Sequence, residues 1–389
     1  MDVTGVAELP LHSGKVPPWM ANYMKKLARA IVEVIVEEYG PREIVRRLAD
    51  PIWFQAFNNA IGMDWDSSGS TTVTLGILRQ VADENPHLGI VVVGGKGRLA
   101  VRVPEELPRR AERLGVSSSK VEEALLASRL AAKTDNVLLQ DGYQLYHHTL
   151  IMSEDGLWAI VQQGMNVEVK LARRYHWLGP RTSTVEPHSG IASVRREQAV
   201  LDLTSKRSIG ARNVILDLVR QEPRKTVKEV FEAYRLLKGI IPITSWLTGE
   251  KSDHAKRDVI VKVYKPQARP PRHLEPILRK LYEISPRNIE ELLLVEGVGP
   301  AVLRSLALVS ELIYGAEVSH KDPVTSPLDP FRYAYIVGGK DGVPFKFDPK
   351  LAEQVVKFLE DVIERARIGD RERLHVLRRL RRLLAPPKT

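Results

Sequence analysis

The spacing of the apolar residues changes twice along the chain, and this change limits the folds that the chain can adopt. Up to residue 82 and again from residue 209, apolar side chains recur at intervals typical of helices. Strand-like runs lie between them, at residues 90–93, 145–152 and 157–163, and a short turn joins the last two into a predicted hairpin. We therefore expect an α+β fold, in which a mixed N-terminal part is followed by an all-α part.

Three regions follow from this pattern. Residues 1–200 are predicted to form the α+β domain that carries any chemistry, and residues 201–271 a helical connector with a Pro-rich linker. Residues 272–389 are predicted to form a C-terminal helical domain, which begins after Pro266, Pro270 and Pro271 interrupt regular structure. Within the connector, the apolar run at residues 259–263 predicts one short strand.

Cysteine is absent from the 389 residues, which excludes disulfides, cysteine-bound zinc, iron–sulfur clusters and thiol nucleophiles. No apolar run approaches the ~18 residues of a membrane span, and the N-terminus has no signal-peptide pattern. We therefore expect a cytoplasmic protein with no membrane partner. The lack of cysteine also fits a protein from a thermophile.

One short segment carries a specific motif, in which Gly297, Val298, Gly299 and Pro300 follow one predicted helix and begin the next. Gly297 would end the first helix, Val298 would fill the gap between the helices, and Gly299 would let a phosphate approach the backbone. Pro300 suits the first position of a helix. This pattern predicts a helix-hairpin-helix that binds DNA phosphates through backbone N–H groups without reading sequence. A purely structural connection between two helices is the alternative.

Positive charge is concentrated at one end of the chain. The net charge is +10, and residues 365–389 hold nine basic and two acidic residues, which leaves +3 for the rest. We expect this tail to follow a DNA backbone, to bind an acidic partner, or to pack on its own domain. The residues predicted to bind DNA beside the hairpin are Lys321, Arg378, Arg379, Arg381 and Arg382.

Polar and aromatic side chains are dense on both sides of the predicted hairpin. Arginine can clamp phosphate, aromatic rings can stack on bases, and carboxylate or imidazole groups can move protons. The candidate catalytic residues here are Asp141, His147, His148, Arg173, Arg174 and His176. Because adjacent strand residues point to opposite faces, we expect at most one of His147 and His148 in a site. A structural role for each histidine is the alternative.

Two lysines are candidate nucleophiles for imine chemistry. Lys96 follows Gly94 and Gly95 in a predicted glycine turn after a strand, and Lys133 lies beside the polar cluster. An ordinary solvated lysine is the alternative for both.

Carboxylates offer a different chemistry. Asp64, Asp66, Asp135, Asp141 and Glu168 could together hold Mg²⁺ in a nuclease site, although turn acids such as Asp64 and Asp66 also serve as helix caps.

The chain resembles, over nearly its full length, the archaeal and bacterial family known as domain of unknown function 763. The stretches that carry the resemblance are residues 4–12, 54–57, 140–148, 162–166, 172–177 and 338–342. The family implies a DNA-associated hairpin module and no settled activity.

The hairpin is also similar to the helix-hairpin-helix of base-excision DNA glycosylases. Their lyase members carry a lysine two residues after the second glycine, where this chain has Ala301, and an aspartate near the spacing of Asp322. The similarity therefore implies that the hairpin grips DNA, and that imine chemistry would require another lysine.

Together these features predict a DNA-processing protein of genome maintenance, either a structure- or damage-specific nuclease or a glycosylase with abasic-site lyase activity. The alternative is a non-catalytic DNA-binding adaptor that recruits other repair proteins. We expect it in the cytoplasm with the nucleoid. RNA remains open as a substrate, because backbone contacts alone do not distinguish it from DNA.

Overall fold

A computed structural model describes residues 16–63, 69–180, 183–238, 254–264, 269–325 and 346–366. Within these residues the predicted α+β class is confirmed, because an antiparallel sheet occupies the first half and helices the second. The helices are α1 Pro18–Tyr39, α2 Pro41–Leu48, α3 Pro51–Ala60, α4 Gly69–Glu84, α5 Val103–Glu112, α6 Ser118–Lys133, α7 Ile209–Arg220, α8 Pro223–Leu237, α9 His254–Tyr264, α10 Leu274–Ile284, α11 Ile289–Leu294, α12 Pro300–Leu312 and α13 Pro349–Ala366. The strands are β1 Ile90–Lys96, β2 Leu139–Gln140, β3 Gln144–Ser153, β4 Trp158–Asn166, β5 Leu171–Leu178, β6 His188–Ala192 and β7 Leu201–Asp202.

The main sheet has five antiparallel strands in the order β1-β3-β4-β5-β6. The predicted hairpin is confirmed as β3–β4, in which Leu150 lies opposite Ile160. Helices cover both faces, since Ile90 and Val92 belong to the core under α1–α4, whereas Val91 and Val93 belong to the core under α5 and α6. This alternation is the two-residue period of a strand buried on both sides.

The second half forms a helical layer with its own core. Helices α7–α12 bury leucines such as Leu218, Leu278 and Leu303 against one another. The same core includes Leu138, which directly precedes β2, and Leu201 of β7; these two strands form a small second sheet. The helical layer is therefore packed directly on the end of α6 and the strand that follows it.

Two predictions of local structure are wrong. Residues 259–263 lie in helix α9, because Ile260, Val263 and Tyr264 fall on one helical face and pack into the second core. Tertiary packing here outweighs the strand preference of β-branched residues. Gly94 and Gly95 lie within β1 rather than in a turn, and the strand continues to Lys96, which pairs with His147 of β3.

The first core also receives the last described helix. Ala352, Val355 and Val356 of α13 pack with α1, and the ring of Phe347 lies 5.9 Å from that of Trp19. The predicted division at residues 200 and 271 remains a prediction. Arg378, Arg379, Arg381, Arg382 and the stretch at residues 338–342 lie outside the described residues. No helix in the described ranges is long and apolar enough to cross a membrane.

Candidate functional site

Residues 128–140 comprise the end of helix α6, the turn after it and strand β2, and they contact three separate parts of the molecule. After Lys133 the helix widens into a π-helical turn, Thr134–Leu138. Such turns are rare and are often found at functional sites. In this segment Ser128 faces the sheet, Lys133 and Gln140 contact the hairpin before α12, and Asp135 lies fully buried between them. We call this segment the α6 junction.

The α6 junction holds the hairpin through its carbonyl groups. Lys133 Nζ donates to the carbonyl oxygen of Val298 at 2.9 Å, and Gln140 Nε2 donates to that of Pro300 at 3.0 Å. Arg304 Nε of α12 donates in turn to Gln140 Oε1 at 2.8 Å. The N-terminal half of the chain therefore fixes the position of the hairpin.

At the hairpin, Pro300 begins α12 as its sequence predicts, whereas α11 already ends at Leu294, three residues before Gly297. Gly297 has a φ of +93° and is exposed, so a side chain there would strain the backbone. Val298 is 1 % exposed and belongs to the second core. Gly299 has extended backbone, and nothing lies within 4 Å of the position that its Cβ would occupy. Gly297 is thus exposed at the surface, and Gly299 is partly exposed.

The two candidate lysines lie in different surroundings. Burial lowers the pKa of Lys133, and among the described residues no carboxylate lies within ion-pair distance of it. Lys96 lies with its ammonium 5.7 Å from the ring centre of Tyr146 and is exposed. Of these two lysines, only Lys133 contacts the hairpin.

Arg173 joins two parts of the chain in a buried ion cluster. Its guanidinium donates to Asp141 at 2.7 Å and to both carboxylate oxygens of Asp322 at 3.0 and 2.7 Å. Tyr175 also donates to Asp141, at 2.7 Å. Burial raises the pKa of Asp141, although Arg173 opposes this shift. Burial alone would lower the pKa of Arg173, but Asp141 and Asp322 more than compensate and raise it. The predicted neighbours Asp141 and Arg173 are thus brought together.

Arg174 and His176 lie on the opposite face of β5. Arg174 donates to Gln55 of α3 at 2.7 Å and stacks on Phe54, and His176 Nδ1 lies 3.0 Å from the carbonyl oxygen of Leu48. Burial lowers the pKa of His176 well below its usual value. Because strand residues alternate in direction, the structure does not bring these two into the cluster of Arg173.

A polar cavity of about 490 Å³ lies beside the ion cluster. It is lined by His188, Asp202 and Asp322 together with the basic side chains of Arg196, Lys206 and Lys321. His188 Nε2 lies 2.6 Å from Asp135 Oδ1 of the α6 junction. Lys321, which the sequence assigns to DNA binding, therefore lines this cavity. Sequence reasoning missed His188, which is recognisable only once β6 is paired with β5 beside Trp177.

An apolar cavity, also of about 490 Å³, lies on the other side of the α6 junction. Its apolar lining includes Val101, Val103 and Leu145, and its polar lining includes Ser128, His147 and His148. Both histidines therefore line one cavity, contrary to the expectation that at most one would. His147 and His148 pair in regular register with Gln163 and Gln162, so their side chains still alternate, and the cavity at the start of β3 reaches both.

Metal binding was predicted from several carboxylates. In the described ranges, no three His, Asp or Glu side chains are grouped so that they could hold a metal ion. Asp64 and Asp66 lie outside the described residues, and Glu168 is exposed in the turn before β5. We therefore assign no metal ligands.

Comparison with known proteins gives one match. A family model described as "Protein of unknown function (DUF763)" matches residues 5–347. No curated protein and no solved structure matches the chain.

Proposed function

The chain belongs to the DUF763 family, whose description assigns no activity, and we propose that it binds the sugar–phosphate backbone of DNA at the hairpin and processes the DNA beside it. The observation that carries the proposal is the exposed Gly297 and the open space at Gly299, on either side of the buried Val298. Phosphate oxygens need close access to N–H groups, and a bare glycine backbone at a helix start gives that access.

The attachment of the hairpin to the α6 junction supports a catalytic role over simple binding. Lys133 and Gln140 reach the hairpin from the N-terminal half, so DNA bound there would lie close to the half-buried amine of Lys133. Burial lowers the pKa of Lys133. A larger share of uncharged amine at neutral pH favours attack on a carbonyl carbon.

Lys133 can therefore supply the nucleophile of an abasic-site lyase. Its Nζ would attack the aldehyde carbon C1′ of an abasic sugar, and loss of water would leave an imine. A water molecule would then take the C2′ proton, the bond from C3′ to its phosphate oxygen would break, and the phosphate would leave with the bonding electrons. Hydrolysis of the imine then releases the unsaturated aldehyde and restores the amine of Lys133.

DNA binding is tested with a substitution at Gly299. Gly299→Leu adds bulk where the backbone is extended and the space is open, so we expect the fold to persist and duplex affinity to fall by about tenfold or more. Fluorescence anisotropy with a labelled duplex measures the affinity. Gly76→Leu is the control, because Gly76 is exposed on α4 and also has nothing within 4 Å. Unchanged affinity in a folded Gly299→Leu protein would refute the proposed interface.

Catalysis is tested by borohydride trapping on abasic duplex DNA. Lys133→Gln keeps a side-chain donor for the Val298 carbonyl but removes the amine, so we expect trapping to fall by about a hundredfold or more while duplex affinity stays within about threefold. Lys96→Gln is the control and should trap as the wild type does. Binding without trapping in the wild type would support the adaptor function instead.

A further inference from the structure

We propose that Ser128 is the nucleophile of a second site, which cleaves carboxylic esters with a small apolar acyl group in the apolar cavity. The juxtaposition that carries this proposal is a chain of hydrogen-bonded side chains between α6 and the face of the sheet that it covers. Ser128 Oγ lies 2.7 Å from His148 Nε2, His148 Nδ1 lies 2.8 Å from Gln162 Oε1, and Gln162 Nε2 donates to Asp135 Oδ2 at 2.5 Å.

The direction of each hydrogen bond in this chain is fixed. The amide nitrogen of Gln162 can only donate, and it points to the carboxylate of Asp135. Gln162 therefore presents its oxygen to His148, which must carry its proton on Nδ1. Burial lowers the pKa of His148, so the ring is neutral and its Nε2 accepts the proton of the Ser128 hydroxyl. This is the arrangement in which imidazole acts as a general base toward serine.

The hydroxyl of Ser128 differs in its hydrogen bond from those of the two serines of α12. Ser305 and Ser310 of α12 both donate to the carbonyl four residues earlier, at 2.9 Å in each case. That bond is the usual one for a serine inside a helix. Ser128 is bonded to an imidazole instead, at the wall of a cavity.

His147 also lines the cavity, as part of its wall. Its Nε2 lies 2.8 Å from the hydroxyl of Thr149, and among the described residues its buried Nδ1 has no hydrogen-bond partner. Because Nδ1 is buried, it is not presented to a substrate in the cavity.

The cavity also limits the substrate. Its lining is mainly apolar, from Val101, Val103, Pro104, Ala132 and Leu145, with Arg129 among its polar residues, so it favours an ester with a small hydrophobic acyl group. In the reaction, Ser128 Oγ bonds to the carbonyl carbon and its proton passes to His148 Nε2. The ester C–O bond breaks, and the leaving alcohol takes that proton. Water then attacks the carbonyl carbon of the acyl-serine and gives its proton to His148. The bond from that carbon to Ser128 Oγ breaks, Oγ takes the proton back, and the carboxylic acid is released.

The experiment compares Ser128 with an exposed serine on the same helix. The full-length protein is treated with an alkyl fluorophosphonate, which forms a bond to an activated serine oxygen and releases fluoride, and the adduct is located by peptide mass spectrometry. We expect labelling at Ser128 and none at Ser119, which is exposed. Hydrolysis of p-nitrophenyl butyrate should fall at least about a hundredfold in Ser128→Ala and in His148→Gln. The Ser119→Ala protein should keep the wild-type rate.

Two further measurements separate loss of the nucleophile from loss of the fold. Ser128→Ala retains α6, because alanine is the strongest helix former, so its loss of activity cannot be ascribed to unfolding once thermal unfolding matches the wild type. The chain has no cysteine, so Ser128→Cys introduces its sole thiol, and we expect iodoacetamide to alkylate it in the native protein. Labelling of Ser128 no faster than Ser119, equal labelling in folded His148→Gln, or a protected thiol would each overturn the proposal.

Discussion

At the scale of single residues, Arg173 is a buried charge that joins two distant parts of the chain. It is fully buried and lies between two buried carboxylates, Asp141 and Asp322, so the three side chains carry a net charge of −1. Removing the arginine would leave two carboxylates facing each other without a cation. Removing one carboxylate would leave a neutral pair.

This asymmetry predicts unequal costs. We expect Arg173→Met to lower the free energy of unfolding by about 3–5 kcal/mol and Asp322→Asn to lower it by less. Denaturant unfolding measures both. Arg207→Met is the control, because Arg207 and Glu317 form an exposed pair that should contribute less than about 1 kcal/mol. Equal losses in Arg173→Met and Asp322→Asn would contradict this account of the cluster.

Buried histidines contribute to the change of the free energy of unfolding with pH. Burial lowers the pKa of His147 to about 3, with further contributions from His148 and Lys96, and it also lowers those of His148 and His176. Below about pH 6.5 the unfolded chain therefore binds protons that the folded chain does not. Stability is fully present above that pH and is lost as the pH falls toward the folded values.

We therefore expect the free energy of unfolding to fall by up to about 1.4 kcal/mol per pH unit for each of these histidines. Urea unfolding between about pH 7 and about pH 5 measures the slope. His147→Gln should reduce the slope of the free energy of unfolding against pH by the contribution of one histidine. A variant slope identical to that of the wild type would show that His147 does not contribute.

At the scale of elements, the sequence predicted helices and the β3–β4 hairpin well, because apolar period and turn residues are local signals. Strand β5 was not predicted as a strand, since Arg173, Arg174 and His176 suggest a polar surface and their buried partners come from distant segments. For the same reason the sequence indicated Asp141 beside Arg173 but not Ser128 or His188. The contact of Ser128 with His148 and Gln162 becomes visible only when β3 and β4 are paired next to α6.

The glycine pair in β1 has a packing role that can be tested. Gly94 has a φ of +90°, and a Cβ there would clash with the carbonyl oxygen of His148 on β3. We expect Gly94→Ala to cost at least about 2 kcal/mol in thermal or denaturant unfolding. Gly97→Ala is the matched control, because Gly97 also has a positive φ but has open space, and it should cost only about 1 kcal/mol. Equal costs would mean that strand contact is not the reason for the glycine.

At the scale of the whole molecule, the basic tail and the hairpin make separable contributions to the proposed DNA binding. The tail at residues 365–389 supplies +7 of the net +10, whereas the hairpin supplies backbone donors. Replacing Arg378, Arg379, Arg381 and Arg382 with glutamine should therefore reduce the salt dependence of duplex affinity. We expect the slope of log Kd against log salt concentration to fall by up to about 3–4. Anisotropy titrations at several salt concentrations measure it, and an unchanged slope would remove the tail from the interface.

The packing of α13 on α1 determines when the first core can be completed. The apolar face of α1 meets Ala352, Val355 and Val356, which a ribosome adds only after nearly all other described residues. Long-range contacts of this kind close late and slow folding. During synthesis, the rings of Trp19 and Tyr23 therefore lack their contact with Phe347 until the last described segment has been made.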